Sequence, residues 1–178
     1  GVCAMRHIDY HAASASFRKW GIILVCALLV LSLYVFITQM LASTPAIKDS
    51  NGNVVEGSIA ELKSVKLNGR KEWITIRGND KNAPILLFLA GGPGGTQMAA
   101  TRYELSELEK HFVVVNWDQP GSGKSHLGIS KKDINVKTYI SDGVALTEYL
   151  RERFGQEQIY LMGESWGSAL GIFLLNER

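Results

Sequence analysis

Gly163-Glu164-Ser165-Trp166-Gly167 limits what this chain can fold into more than any other stretch. An apolar run of strand length, Ile159-Tyr160-Leu161-Met162, precedes it, and a run of helical character, Ala169 to Leu175, follows. A strand that reverses directly into a helix holds the intervening serine on a strained, exposed turn, which is the arrangement of a nucleophile elbow. Gly163 and Gly167 have a steric task there, because a Cβ at either would collide with the neighbouring strand or helix. The bare five-residue pattern is weak, since glycine and serine are both common. The strand before it and the helix after it strengthen it.

A second constraint lies upstream. No charged side chain occurs from Trp20 to Ile47, and Gly21 to Ala42 is apolar apart from Ser32, Thr38 and Gln39. At a rise of ~1.5 Å per residue, a helix of that length spans roughly the ~30 Å hydrocarbon core of a bilayer. We expect a transmembrane helix over 20–42, in contact with lipid. A cleaved signal peptide has a shorter apolar region, ~7–15 residues, and a small-x-small site, which Leu41-Ala42-Ser43-Thr44 supplies poorly. A buried core helix rarely runs this long. Arg6, Arg18 and Lys19 precede the span, whereas Lys48 and Asp49 offset one another after it. The positive-inside bias then places 1–19 in the cytoplasm and everything after Ser43 outside. Trp20 sits where an interfacial anchor would; Tyr34 is too deep for that role. A net charge of +2 without a Lys/Arg-rich run argues against a nucleic-acid partner. Cys3 and Cys26 lie before and within the span, so the outer part can form no disulfide framework.

Beyond a tether over 43–57, closed by the turn-rich Ser50-Asn51-Gly52-Asn53, residues 58–178 read as one α/β unit. Ser58 to Leu67 and Lys71 to Arg77 alternate around Asn68-Gly69, a strong hairpin signal. Leu62, Val65, Leu67, Trp73, Ile74 and Ile76 are its expected buried face. Ile85 to Leu89 is a continuous apolar run that suits a strand covered on both sides. It runs into Gly91-Gly92-Pro93-Gly94-Gly95, whose backbone N–H groups can turn toward a ligand or a developing negative charge. A helix over Tyr103 to Lys110, a strand over Phe112 to Trp117, the loop Asp118 to Ser125 and a helix over Lys137 to Phe154 follow. On that last helix Ile140, Val144, Leu146, Leu150 and Phe154 face inward, with Gly155 as C-cap. Strands alternating with helices imply a largely parallel sheet. Gly123-Lys124-Ser125 is no P-loop, because Asp118 stands where the first glycine is required and Pro120 has no N–H to offer a phosphate.

Three motifs in order, Gly91-Gly92-Pro93-Gly94-Gly95, Trp117 to Ser125, and Gly163 to Ser168, together resemble the proline iminopeptidase group of α/β-hydrolases. The resemblance covers Ile59 to Arg178. It implies an α/β-hydrolase fold, here its N-terminal part through the elbow, in a chain that reads as a fragment starting before Met5 and stopping within a helix. Ala90 stands where that group usually has His.

The resemblance implies that Ser165 is the nucleophile, and that the backbone N–H groups of Trp166 and Gly92 hold the oxyanion. Gly91, Pro93 and Gly94 would shape the loop. Glu164 would not be the triad acid, since a side chain adjacent to the serine points away from it at such a turn. A serine needs a base oriented by an acid, and in this fold the order is Ser, acid, His. Both should therefore follow Ser165, where only Asn176, Glu177 and Arg178 remain after the helix. His126 lies on the correct side of the sheet and His111 on the opposite one; His7 and His11 lie across the membrane. The expected activity is a membrane-anchored serine hydrolase of aminopeptidase type acting on a small peptide. An esterase or amidase on the same fold, or an inactive tethered binding module, are the alternatives. No metal-ligand cluster appears, and neither a metal nor a cofactor is expected.

Overall fold

The computed structural model describes residues 10–177. Cys3, Arg6, His7 and Arg178 lie outside them. The chain forms two compact units, 1–42 and 43–178.

Within the first unit a single helix, α1, runs over Tyr10–Met40. From Ser14 to Met40 it is long and apolar enough to cross a membrane, and none of it is buried. A helix that is apolar all round cannot face water on one side and a core on the other, so it requires an apolar environment on every side. Composition and length admit a membrane span and a signal sequence alike.

The second unit is built on a five-stranded mixed sheet of order β1-β2-β4-β3-β5. β1 (Ile59–Leu67) and β2 (Arg70–Gly78) form the expected hairpin, joined by Asn68 and Gly69 at φ 45° and 86°. Positive φ at both turn residues gives the twist that a two-residue hairpin needs. β3 (Ile85–Leu89), β4 (Val113–Asp118) and β5 (Tyr160–Gly163) are mutually parallel, with β3 in the middle. The expectation of a largely parallel sheet is corrected at β2, which pairs antiparallel with β4 as well as with β1. The hairpin therefore contributes half of the sheet's pairings in antiparallel form.

Register decides which face each strand buries. Val65, Leu67, Ile74 and Ile76 join Ile85, Leu87, Leu89, Val113, Val115 and Trp117 in one apolar core. Two helices close it, α3 (Val136–Phe154) through Tyr139, Leu146 and Leu150, and α4 (Trp166–Asn176) through Leu170 and Leu174. Leu62 and Trp73 fall on the opposite face, contrary to expectation, because Trp73 pairs with Ser64 and Leu62 with Thr75, one residue out of phase with the core positions. Ile140, Val144 and Phe154 only flank the core. The inward stripe of α3 instead includes Asp142 and Gly143. Asn135 caps α3 by accepting from Thr138 N, and Gly155 ends it at φ 63°.

On the other face, α2 (Met98–Glu104) is followed by a short 3₁₀ turn, Leu108–Lys110. The helix read over Tyr103 to Lys110 thus starts five residues earlier and breaks in the middle. The Arg77 guanidinium forks onto Glu109 at 2.8 and 3.3 Å and also donates to Thr44 Oγ1 and Pro45 O, so the stretch after residue 43 is tied to the sheet. Among the described residues, the outer edge of β5 has no strand partner. Tyr160 and Met162 are exposed there.

Candidate active site

Parallel strands in adjacent positions end at the same level, so β4, β3 and β5 deliver their three following loops to one edge of the sheet. Leu89 pairs with Gly163 and Phe88 with both Asn116 and Met162. That common end is where ligands bind in open α/β sheets. It brings together the three motifs that stand some 20 to 70 residues apart in the chain.

Ser165 occupies the turn between β5 and α4 with φ 50° and ψ −117°, a conformation rare for a residue with a side chain. The turn is closed by Gly167 N donating to Glu164 O at 2.7 Å and Ser168 N donating to Ser165 O at 3.0 Å. Both flanking glycines are sterically required. A Cβ on Gly163 would lie 2.5 Å from the Gly167 carbonyl carbon, and one on Gly167 would lie 1.9 Å from Leu89 O. Ser165 is exposed, and its hydroxyl makes no hydrogen bond among the described residues.

The glycine-rich loop after β3 faces it. A Cβ built on Gly91 would sit 3.5 Å from Ser165 Cβ, so the loop and the serine side chain are neighbours. Gly95 N donates to Gly91 O at 3.1 Å, which folds the loop back on itself. Gly92 has φ 139°, and its Cβ would meet Gly94 N at 2.6 Å and Gly95 N at 2.7 Å, so only glycine fits. Gly94 also has positive φ, and the Gly92-Pro93 peptide is cis. Among the described residues, the N–H groups of Gly92 and Trp166 donate to no loop or turn carbonyl, in contrast to those of Gly95, Gly167 and Ser168. Such donors, one on the glycine loop and one directly after the exposed hydroxyl in sequence, are suited to binding an oxygen that gains negative charge.

The Glu164 side chain lies along the glycine loop. Its carboxylate carbon would lie 3.9 Å from a Cβ on Gly91, and Gln97 Nε2 donates to its Oε2. His111 and His126 are both exposed; His111 caps the 3₁₀ turn before β4, and the His126 ring nitrogen Nδ1 lies 2.9 Å from Gly123 O. Neither is hydrogen-bonded to Ser165.

The loop after β4 is an interior structure. Lys124 N donates to Asp118 Oδ2 at 2.7 Å, and Trp73 N donates to Ser125 Oγ at 2.8 Å, so the backbone of Lys124 and the hydroxyl of Ser125 are used within the protein. Gln119 and Asp118, both buried, touch the other two loops. The Trp117 to Ser125 motif contains both, but their partners on the other two loops, Thr96, Ala90 and Trp166, are distant in sequence and were not legible from it.

A buried ionisable cluster lies under the hairpin. Asp142 accepts from Arg70 Nε at 3.0 Å and Asn68 Nδ2 at 2.8 Å, and Arg70 Nη2 donates to it as well. Trp117 Nε1 donates to Glu72 Oε2 at 2.7 Å, and Glu72 Oε1 lies 3.9 Å from Arg70 Nε. Burial, and then the neighbouring Asp142 carboxylate, push the Glu72 carboxyl up from 4.5 to about 8.

Residues 84–177 match the family described as alpha/beta hydrolase fold, and the chain belongs to that family. It is similar to probable aminopeptidase YbaC of Bacillus subtilis (strain 168), with 40% identity over 122 residues, 68% of this chain and 38% of the relative. Proline iminopeptidase of Lactobacillus crispatus (strain ST1) is 28% identical over 124 residues, 68% of this chain and 39% of the relative. Among solved structures, a proline iminopeptidase-related protein from Thermus thermophilus superposes with TM-score 0.56 at 28% identity, over 66% of this chain and 40% of that one. An epoxide hydrolase mutant of Vigna radiata shares the fold with TM-score 0.54 at 24% identity, over 66% of this chain and 35% of that one. The chain spans about two fifths of the length of the curated relatives it matches.

Proposed function

We propose that this chain is the N-terminal part of a membrane-anchored serine hydrolase of aminopeptidase type, in which Ser165 forms an acyl-enzyme. The observation that carries the reading is Ser165 itself, held at positive φ on a turn whose two glycines admit no side chain, opposite a glycine loop. Ser165 Oγ attacks the substrate carbonyl and hands its proton to a base. The carbonyl oxygen, now an oxyanion, is held by the N–H groups of Trp166 and Gly92, and collapse of the intermediate expels the amine that the base has protonated. Water then releases the acyl group by the same route. The base and its orienting acid come from residues after Ser165 in the full protein, following the order of this fold. The peptidase assignment draws on the names of the relatives. Residues 20–42 serve as an uncleaved anchor, with 1–19 in the cytoplasm, 43–57 leading outward, and the hydrolase domain outside, which Arg18 and Lys19 before the span support.

The test uses the full-length gene product with proline p-nitroanilide and a simple p-nitrophenyl ester. The reading expects release from the free-amine anilide and its loss by at least ~10³-fold in Ser165→Ala. Turnover of the ester with no detectable anilide cleavage would replace the peptidase by an esterase.

A further inference from the structure

The loop after β4 has no part in the chemistry above, yet it touches both pieces of the site. Gln119 is fully buried, and each end of its amide is used. Its Nε2 donates to Ala90 O at 3.0 Å, at the root of the glycine loop, and its Oε1 accepts from the Trp166 indole Nε1 at 3.1 Å, at the first residue of α4. Asp118, beside it, accepts from Thr96 Oγ1 at 2.5 Å, at the far end of the same glycine loop.

We propose that Asp118 and Gln119 are positioning residues that clasp the glycine loop to the elbow and so fix the distance between the Gly92 and Trp166 N–H groups. This rests on the reading of those two groups as the oxyanion donors. The need for a clasp follows from composition. Four glycines around one proline have little intrinsic preference for any shape, and a donor that wanders stabilises nothing. Three tethers remove that freedom. Gln119 holds the Ala90 carbonyl, Gly95 N holds the Gly91 carbonyl, and Asp118 holds Thr96. The middle tether aims the donor, because N–H and C=O point in opposite directions in a trans peptide. With Gly91 O directed at Gly95, the N–H of Gly92 in the same peptide unit is directed outward.

The chemistry of position 119 is demanding. One buried side chain must donate to a carbonyl and accept from an indole N–H, across a gap that an amide with two methylenes fills. An ionised Glu can only accept, so it would keep Trp166 and repel Ala90 O. Asn is one methylene short. Trp166 is in turn braced edge-on against Tyr139, with ring centroids 5.6 Å apart, so its pull on Gln119 is transmitted from α3.

The test compares Gln119→Glu, Trp166→Phe and the double variant in the full-length gene product. Asn135→Ala, which removes only the cap of α3, is the control for lost stability. Loss of one oxyanion donor costs ~10²–10³ in turnover, so a misplaced donor in Gln119→Glu is expected to lower kcat by roughly 10- to 100-fold with KM within about threefold. Trp166→Phe falls in the same direction. Because both variants break one bridge, the double variant falls less than the product of the singles. Asn135→Ala lowers the melting temperature and keeps kcat. Wild-type kcat in folded Gln119→Glu overturns the clasp, as does a rise in KM at constant kcat or multiplicative behaviour of the pair. If Gln119→Glu does not fold, wild-type kcat in Trp166→Phe overturns it. Undiminished turnover in Ser165→Ala overturns the serine reading itself, and the clasp with it, whatever the Gln119 variants do.

Discussion

Replacing Gly167 by Ala should cost far more activity than one methyl group suggests. The added Cβ would lie 1.9 Å from Leu89 O, 2.6 Å from the Leu89 carbonyl carbon and 3.0 Å from Ala90 O. These are backbone atoms of the central strand and cannot swing aside; Leu89 O already accepts from Glu164 N at 3.1 Å. To restore a normal contact near ~3.4 Å, the start of α4 must retreat by roughly 1–1.5 Å. Overpacking of this kind costs about 1–3 kcal/mol. The Trp166 N–H precedes Gly167 by one residue and moves with it. A displacement of ~1 Å at a catalytic group costs on the order of 10²-fold. We therefore expect Gly167→Ala to retain the fold with a lowered melting temperature and to lose about 10²-fold or more in the rate of Ser165 acylation. The assay is the acylation rate in full-length protein, read beside its far-UV circular dichroism. Wild-type acylation in folded Gly167→Ala would refute the claim that this contact sets the elbow.

Two further outcomes are expected. The raised Glu72 carboxyl is protonated in the fold and ionised in the unfolded chain between pH 4.5 and about 8, so its contribution is complete below pH 4.5 and is lost as pH rises through 8. Between pH 6 and 8 the stability of wild type relative to Glu72→Gln should drop by about 2 kcal/mol in urea titrations, and parallel curves for the two proteins would show that Glu72 carries no shifted proton. For α1, N-terminal sequencing of the protein isolated from membranes should recover residues before Trp20 if the helix is an uncleaved anchor. A mature terminus after Met40 would make it a cleaved signal.

Local features were legible in the sequence and long-range ones were not. The elbow, the Asn68-Gly69 hairpin and the Gly155 cap each depend on backbone geometry that a few adjacent residues dictate. The antiparallel pairing of β2 with β4 joins Ile74 to Trp117, and no periodicity in either strand encodes that choice. The same holds for Gln119, whose partners Ala90 and Trp166 are 29 and 47 residues away. Asp142 is illegible in the sequence for a different reason. An inward stripe is read from apolar spacing, and a fully buried carboxylate in mid-helix is tolerated only because Arg70 and Asn68 reach it from the hairpin. Trp73 departs from the expected buried face because its strand register places it away from the core beside Lys71 and Lys124, whose ammonium groups lie 5.4 and 4.7 Å from its ring.

The most direct test of the account is labelling by a fluorophosphonate, which reacts only with an activated serine, in membranes from the native source. Wild type is compared with Ser165→Ala at equal expression. The account predicts a labelled band in wild type, heavier than 19.6 kDa and absent in Ser165→Ala. Abundant membrane-inserted wild-type protein that takes up no label would contradict it, because the serine would then be unactivated and the elbow would serve only as structure.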